Sequence, residues 1–250
     1  MIFIKSRDEI ERIRESNQIA AQVLRYIEDF VRPGISTGEL NREIENFIIG
    51  KKARPAFKGL YGFPAGSCIS VQDEVVHGIP SDQRILQQGE IVGIDVGVEL
   101  NKYYGDAACT FPVGTVEAGV ADLLRVAEES LYIGISRSLD ANRVGDISNA
   151  IQQHVEKHHF SVVRDLVGHG VGLQPHEDPQ VPNFGAANSG PKLRKGMVLA
   201  IEPMVNMGGY EVYFADDKWT VKTSDGKPSA HFEHSVAITE GDPVILSKLD

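Results

Sequence analysis

In the run GIDVGVELNKYYGDAACTF, residues 93–111, two aspartates, Asp95 and Asp106, each interrupt an apolar pattern of strand type. Aspartate has a poor β-propensity, and burying an ionised carboxylate costs heavily unless something compensates it. If the segment is a hairpin turning at Leu100-Asn101, Asp95 lies directly opposite Asp106. Cross-strand partners point to the same face with Cβ atoms about 4.5 to 5.5 Å apart. Two carboxylates that close repel each other, and a divalent cation between them removes the repulsion. Taken alone, the two residues also allow a blander reading, a pair of exposed edge-strand carboxylates.

The pattern recurs. Glu202 in MVLAIEPMV and Glu233 in SAHFEHSVAI are again single acids inside apolar, strand-like runs. His169 is the second residue of the glycine-rich stretch GHGVGLQPHE, residues 168–177. Four carboxylates and one imidazole at strands or strand ends form a metal-site inventory. The set is rich in oxygen for a single zinc and balances two divalent ions that share bridging carboxylates. Manganese, iron or cobalt suit it as well as zinc does. Two histidines are left over, His77 in DEVVHGIP and His176 in the glycine-rich stretch. A lone histidine beside a turn is usually a satisfied surface or core residue. Next to a metal site it becomes a candidate donor or proton carrier.

Periodicity predicts helices and strands in an α+β order. SRDEIERIRESNQIAAQVLRYIEDFVRPG carries Ile10, Ile13, Ala20, Val23, Leu24 and Ile27 at helical spacing, with Ser6 and Glu9 as a capping box and Pro33-Gly34 as the stop. A second helix starts near Ser36 or Thr37 and stops at Gly50, and FKGLYGFPAGS is loop. Strand-type runs follow at 68–71, 91–98 and 103–113, then helical patterns at 116–139 and 146–159. Strand signals return in FSVVRDLVG, MVLAIEPMV, YEVYF, WTVKT and AHFEHSVAIT. No linker or short-period repeat divides the chain, so residues 1–250 read as one domain.

Composition narrows the function. A formal net charge of -10 over 250 residues argues against a direct nucleic-acid site, because phosphate binding relies on clustered Lys and Arg. The basic group Lys51, Lys52 and Arg54 reads as a solvated helix end. The two cysteines, Cys68 and Cys109, show neither zinc-finger spacing nor a disulfide framework, which suits a reducing compartment. MIFIKSRDEIERIR turns charged after four residues, so neither a signal peptide nor a membrane span is expected there, and the cytoplasm is the expected location. HVEKH, residues 154–158, lacks the Glu directly after the first His that a zincin helix needs and reads as an exposed helix face. GHGVG lacks the spacing of a dinucleotide loop.

Together, CISVQDEVVHGIP, GIDVGVELNKYYGDAACTF, VGHGVG, IEPMV and WTVKTSDGKPSAHFEH resemble the type 1 methionine aminopeptidases of bacteria, members of the pita-bread metallopeptidase superfamily. The resemblance runs over nearly the whole chain. It implies two pseudo-symmetric α/β halves with antiparallel sheet around a dinuclear metal centre. Asp95 and Glu202 would be terminal ligands on different metals, Asp106 and Glu233 bridging ligands, and His169 would sit beside Glu202. Glu202 would also carry a proton, His77 and His176 would flank the scissile peptide, and Phe63, Cys68 and Trp219 would line the methionine pocket. The implied cofactors are two divalent ions drawn from cobalt, iron, manganese and zinc. The implied partners are the N-termini of peptides and nascent chains, in association with the ribosome, and the protein is expected to be a monomer.

The stretch GHGVGLQPHE departs from the methionine-specific pattern at Leu173, where Arg is common, and at Pro175, where a bulky apolar residue is usual. The Gly-Leu pairing is similar to relatives that cleave before proline, which keeps an Xaa-Pro aminopeptidase or dipeptidase as an alternative. A non-catalytic binding protein on the same fold is a second one, and it should show gaps in the ligand set. Asp95, Asp106, His169, Glu202 and Glu233 leave none.

Overall fold

The computed structural model describes residues 2–249. Helices α1 (Arg7–Glu28) and α2 (Thr37–Gly50) precede strands β1 (Arg54–Pro55), β2 (Cys68–Val71), β3 (Glu74–Val76), β4 (Ile91–Leu100) and β5 (Tyr103–Pro112). Helices α3 (Ala118–Ser136) and α4 (Val144–Lys157) follow. Then come β6 (Ser161–Val162), β7 (Val167–Gly170), β8 (Glu177–Pro182), β9 (Val198–Ile201) and β10 (Met204–Asn206). The remaining strands are β11 (Val212–Phe214), β12 (Val221–Thr223), β13 (Ser229–His231), β14 (Glu233–Ala237) and β15 (Val244–Ile245). A helix pair followed by a group of strands thus occurs twice, in the α+β order that the periodicity predicts.

The largest sheet runs β1-β4-β5-β14-β9-β7-β8, with β2 paired to β4 and β15 to β14. Strand alternation assigns its two faces. On β4, Val92, Ile94, Val96 and Val98 enter a core with Ala20, Val23 and Ile27 of α1 and Leu40, Ile44 and Ile48 of α2. On β9, Leu199 and Ile201 enter the core built with Leu123 and Leu131 of α3 and Ile147 and Ile151 of α4. The helix pairs therefore cover one face. Asp95 on β4, and Ala200 with the residue two beyond it, Glu202, belong to the other.

Capping sets the helix boundaries. Ser6 and Glu9 form a reciprocal capping box on α1, and Ser36 and Glu39 form one on α2. Helix α1 ends at Glu28, short of Pro33-Gly34. Helix α4 starts at Val144 rather than Asp146, because the Asp146 carboxylate accepts a hydrogen bond from the Arg143 N–H at 2.8 Å and caps the first turn from inside it.

Several expectations change. Asn101 and Lys102 both have positive φ, 54° and 68°, so the β4–β5 turn is centred one residue later than Leu100-Asn101. Asp95 then pairs with Ala108, and Asp106 pairs with Gly97. The two aspartates are diagonal neighbours on one face rather than direct partners. MVLAIEPMV splits into β9 and β10 at Glu202-Pro203, where proline cannot donate to a ladder, and AHFEHSVAIT splits into β13 and β14 at Phe232. The HVEKH face is half-buried rather than exposed: His154 Nε2 lies 3.1 Å from Glu129 Oε2 on α3.

Candidate metal centre

Five adjacent strands each bring one side chain to the face opposite the helices. Asp95 of β4 pairs with Ala108 of β5, and Ala108 pairs with Glu233 of β14, so the two acids stand in one row with a methyl group between them. Asp106 lies two residues from Ala108 and shares its face. Next to β14, Glu202 directly follows the last residue of β9, with the β14 neighbour His234 paired to Ile201. His169 on β7 pairs with Ala200, two residues before Glu202. Ligand atoms of Asp106, His169 and Glu233 all lie within 4.8 Å of one another. His169 Nε2 is 3.5 Å from Glu202 Oε1 and 3.9 Å from Asp106 Oδ2.

The tautomer of His169 follows from its other nitrogen. Nδ1 lies 2.9 Å from the Gly170 carbonyl, to which it donates, leaving the Nε2 lone pair for the cluster. The flanking glycines make this strand possible. A Cβ at Gly168 would come within 2.4 Å of the Ala200 carbonyl oxygen, and one at Gly170 within 2.4 Å of the Asp178 carbonyl oxygen. Backbone closeness to β9 and β8, not phosphate binding, is their use.

The electrostatics call for cations. Oxygens Asp95 Oδ1, Asp106 Oδ1 and Glu233 Oε1 are buried and have no hydrogen-bond partner. Burial pushes the Asp95 carboxyl up to about 7. Burial and then the Asp95 charge push Asp106 well above the usual range, and burial and then the Asp106 charge do the same to Glu233. Uncompensated, such a cluster would take up protons; a divalent cation offers the carboxylates the same relief. The orphaned oxygens and the donor set therefore fit divalent metal.

Glu202 behaves differently. Burial works to raise it, but the His231 and His169 rings hold it below the ordinary carboxylate range. His231 Nε2 lies 3.4 Å from Glu202 Oε2, although it is poorly aligned and otherwise unpartnered. The sequence reading misses His231. Its signal was alternation within AHFEH, hidden by the break at Phe232. Thr110 of β5, in the large sheet, holds it: the Thr110 hydroxyl donates to the His231 carbonyl at 2.7 Å and accepts from the His231 N–H at 2.9 Å.

A cavity of about 270 Å³ opens over the cluster, and Asp95, Asp106, His169, Glu202 and Glu233 all reach it. His77 and His176 line it too, as do Phe63, Cys68 and Trp219. Phe63 and Trp219 meet edge to face at 5.2 Å and make an apolar wall. Cys68 pairs with Asp95 across β2–β4, and burial together with that charge drives its thiol pKa far up. Burial lowers the pKa of His77, which sits at a strained φ of 59° at the end of β3. The exposed His176 ring stacks on Tyr61 and meets His169 edge-on at 4.5 Å; desolvation of its inner face and then His169 lower its pKa. Leu173 and Pro175 are half-buried, and neither lines the cavity. Tyr61, Leu60 and Met204, which sequence reading did not single out, do.

Comparison with known proteins places this geometry. A model of metallopeptidase family M24 matches residues 11–240. The methionine aminopeptidase of Clostridium perfringens is 53% identical over 247 residues, spanning 99% of each chain. Methionine aminopeptidase 1 of Bacillus subtilis is 49% identical over 249 residues and the full length of both. Among solved structures, the methionine aminopeptidase of Thermotoga maritima superposes with a TM-score of 0.98 at 42% identity, covering both chains fully. The prolidase of Pyrococcus furiosus superposes at 0.80 with 22% identity over 99% of this chain and 66% of its own, a likeness of fold alone.

Proposed function

Because the chain belongs to metallopeptidase family M24 and has its pita-bread fold, we propose that it is a methionine aminopeptidase that removes the N-terminal methionine from peptides and nascent proteins. The observation that carries this is the row of carboxylates with orphaned oxygens beneath an apolar, histidine-flanked cavity. Asp95, Asp106, His169, Glu202 and Glu233 would hold two divalent ions, with Asp95 and Glu202 as terminal ligands, Asp106 and Glu233 shared between the ions, and His169 beside Glu202. Cobalt, iron, manganese and zinc all suit that set. When bound, the pair of cations supplies a water of lowered pKa and polarises the first peptide carbonyl.

The protein's own side chains do the rest. The wall of Phe63, Cys68 and Trp219 takes the methionine side chain, whose flexible thioether packs well against aromatic rings. Glu202, kept ionised by His231 and His169, accepts a proton from the attacking water and delivers it to the leaving amine. His77 donates to the scissile peptide nitrogen and His176 to the oxygen as it gains charge. Both rings have lowered pKa values, so each enters neutral at pH 7 with one N–H to give.

The 250 residues act as a single catalytic domain and as a monomer, in the cytoplasm, on chains emerging from the ribosome. Among the described residues no helix is long and apolar enough to cross a membrane. An Xaa-Pro specificity draws support from Leu173 and Pro175, but both stand away from the cavity wall. Side-by-side hydrolysis of Met-Ala-Ser and Ala-Pro peptides tests the reading. Release of methionine alone is expected, and cleavage selective for proline would overturn it.

A further inference from the structure

Lys5 is a buried lysine outside the metal cluster and the cavity lining, with 1% of its side chain exposed. Its Nζ lies 2.5 Å from Oε2 of Glu177, whose side chain is fully buried. The other oxygen, Oε1, accepts hydrogen bonds from the backbone N–H groups of Leu173 at 2.7 Å and Gln174 at 3.0 Å. Glu177 is therefore a clasp that closes residues 173–177 into a tight loop, and the loop carries His176 as its next-to-last residue. The segment that brings Lys5 in is itself held. Its N–H donates to the Gly196 carbonyl at 2.7 Å, and Ile2 forms a parallel bridge to Asp178.

We propose that Lys5 is a positioning residue for catalysis: it neutralises Glu177 so that the carboxylate can hold the 173–177 loop and, through it, set the His176 ring at the cavity mouth. A buried carboxylate without its partner must either reach water or take a proton, and each breaks the clasp. Gly172 shows how little freedom the loop has otherwise, since a Cβ there would meet the Ile13 side chain at 2.4 Å. Lys5 lines neither the metal cluster nor the cavity, and its ion-pair partner Glu177 closes the loop that carries His176. The role assigned to His176 under the proposed function is the one part of that reading on which this rests.

The test uses the full-length, metal-loaded protein with Lys5→Met, Glu177→Gln and the double variant. Amide hydrogen exchange across 171–177 is read beside kcat, KM and metal content. In Lys5→Met, exchange in the loop rises and kcat falls, each by about tenfold or more, while KM and bound metal stay nearly constant. Glu177→Gln keeps an amide oxygen for the Leu173 and Gln174 N–H groups and removes the stranded charge. Adding it to Lys5→Met therefore restores both loop protection and kcat, and it guards against a Lys5→Met protein that does not fold. Unchanged loop exchange in Lys5→Met would overturn the proposal, and so would loosened exchange with unchanged kcat. A wild-type protein that fails to release methionine would instead overturn the functional reading, while loop exchange would still decide whether Lys5 holds the clasp.

Discussion

Asp95 and Glu233 stand on either side of Ala108 in one row of the sheet, and the alanine methyl is all that separates the two strands' acids along that row. A larger side chain at this buried position would crowd the two acids that flank it in the row. Ala108→Val is expected to weaken divalent-metal binding by about tenfold or more, from the overpacking it forces between fixed strands. Isothermal titration checks this; affinity equal to wild type would show that the row is not the metal seat.

Stability of the metal-free protein should fall as pH rises. Asp95 has a folded pKa raised from 3.8 to about 7, so the folded chain holds a proton that the unfolded chain has lost over that interval. The associated stability is fully present below about pH 4 and is lost as pH rises through about 7, a change on the order of 4 kcal/mol for this one group. Asp106 and Glu233 shift in the same direction. The melting temperature of chelated protein is expected to drop by at least about 5 °C between pH 5 and pH 8. Bound cations favour the ionised carboxylates, so the loaded protein should lose far less. A flat or rising profile for the chelated protein would contradict this account of the cluster.

Trp219→Ala removes one side of the edge-to-face pair with Phe63 and opens the apolar wall. The expected result is a rise in KM for methionyl peptides of about tenfold with kcat little changed, since the lost contact is made in ground and transition states alike. Steady-state kinetics on the folded variant decide it. A fall in kcat at constant KM would place Trp219 in the chemistry instead.

His77→Ala and His176→Ala should each lower kcat by about 100-fold while metal content, measured by atomic emission, stays at the wild-type level. The two rings enter from different elements, the end of β3 and the loop before β8, so neither can replace the other. Full turnover in either variant would remove that residue from the mechanism.

The acids of the cluster were legible because an acid inside an apolar strand is anomalous: Asp95, Asp106, Glu202 and Glu233 could be singled out from pattern alone, and the α+β order from periodicity. The register of the first pair was not. Asn101-Lys102 turns with both residues left-handed yet lacks the glycine that normally announces such a turn, so the pairing slipped by one residue on each strand. His231 escaped because β13 and β14 join different sheets across Phe232, a break that a continuous apolar run conceals. Lys5 escaped for a related reason. A lysine near a charged helix start looks solvated until the fold brings Glu177, distant in sequence, against it.

The most direct test of the central claim, that this carboxylate row holds the cations that drive methionine removal, is stepwise addition of divalent metal to chelated protein while free methionine is measured. Release of methionine from Met-Ala-Ser should be absent at the start, appear as metal is added and level off by two equivalents. Undiminished turnover in the chelated protein, or none at any loading, would contradict the account.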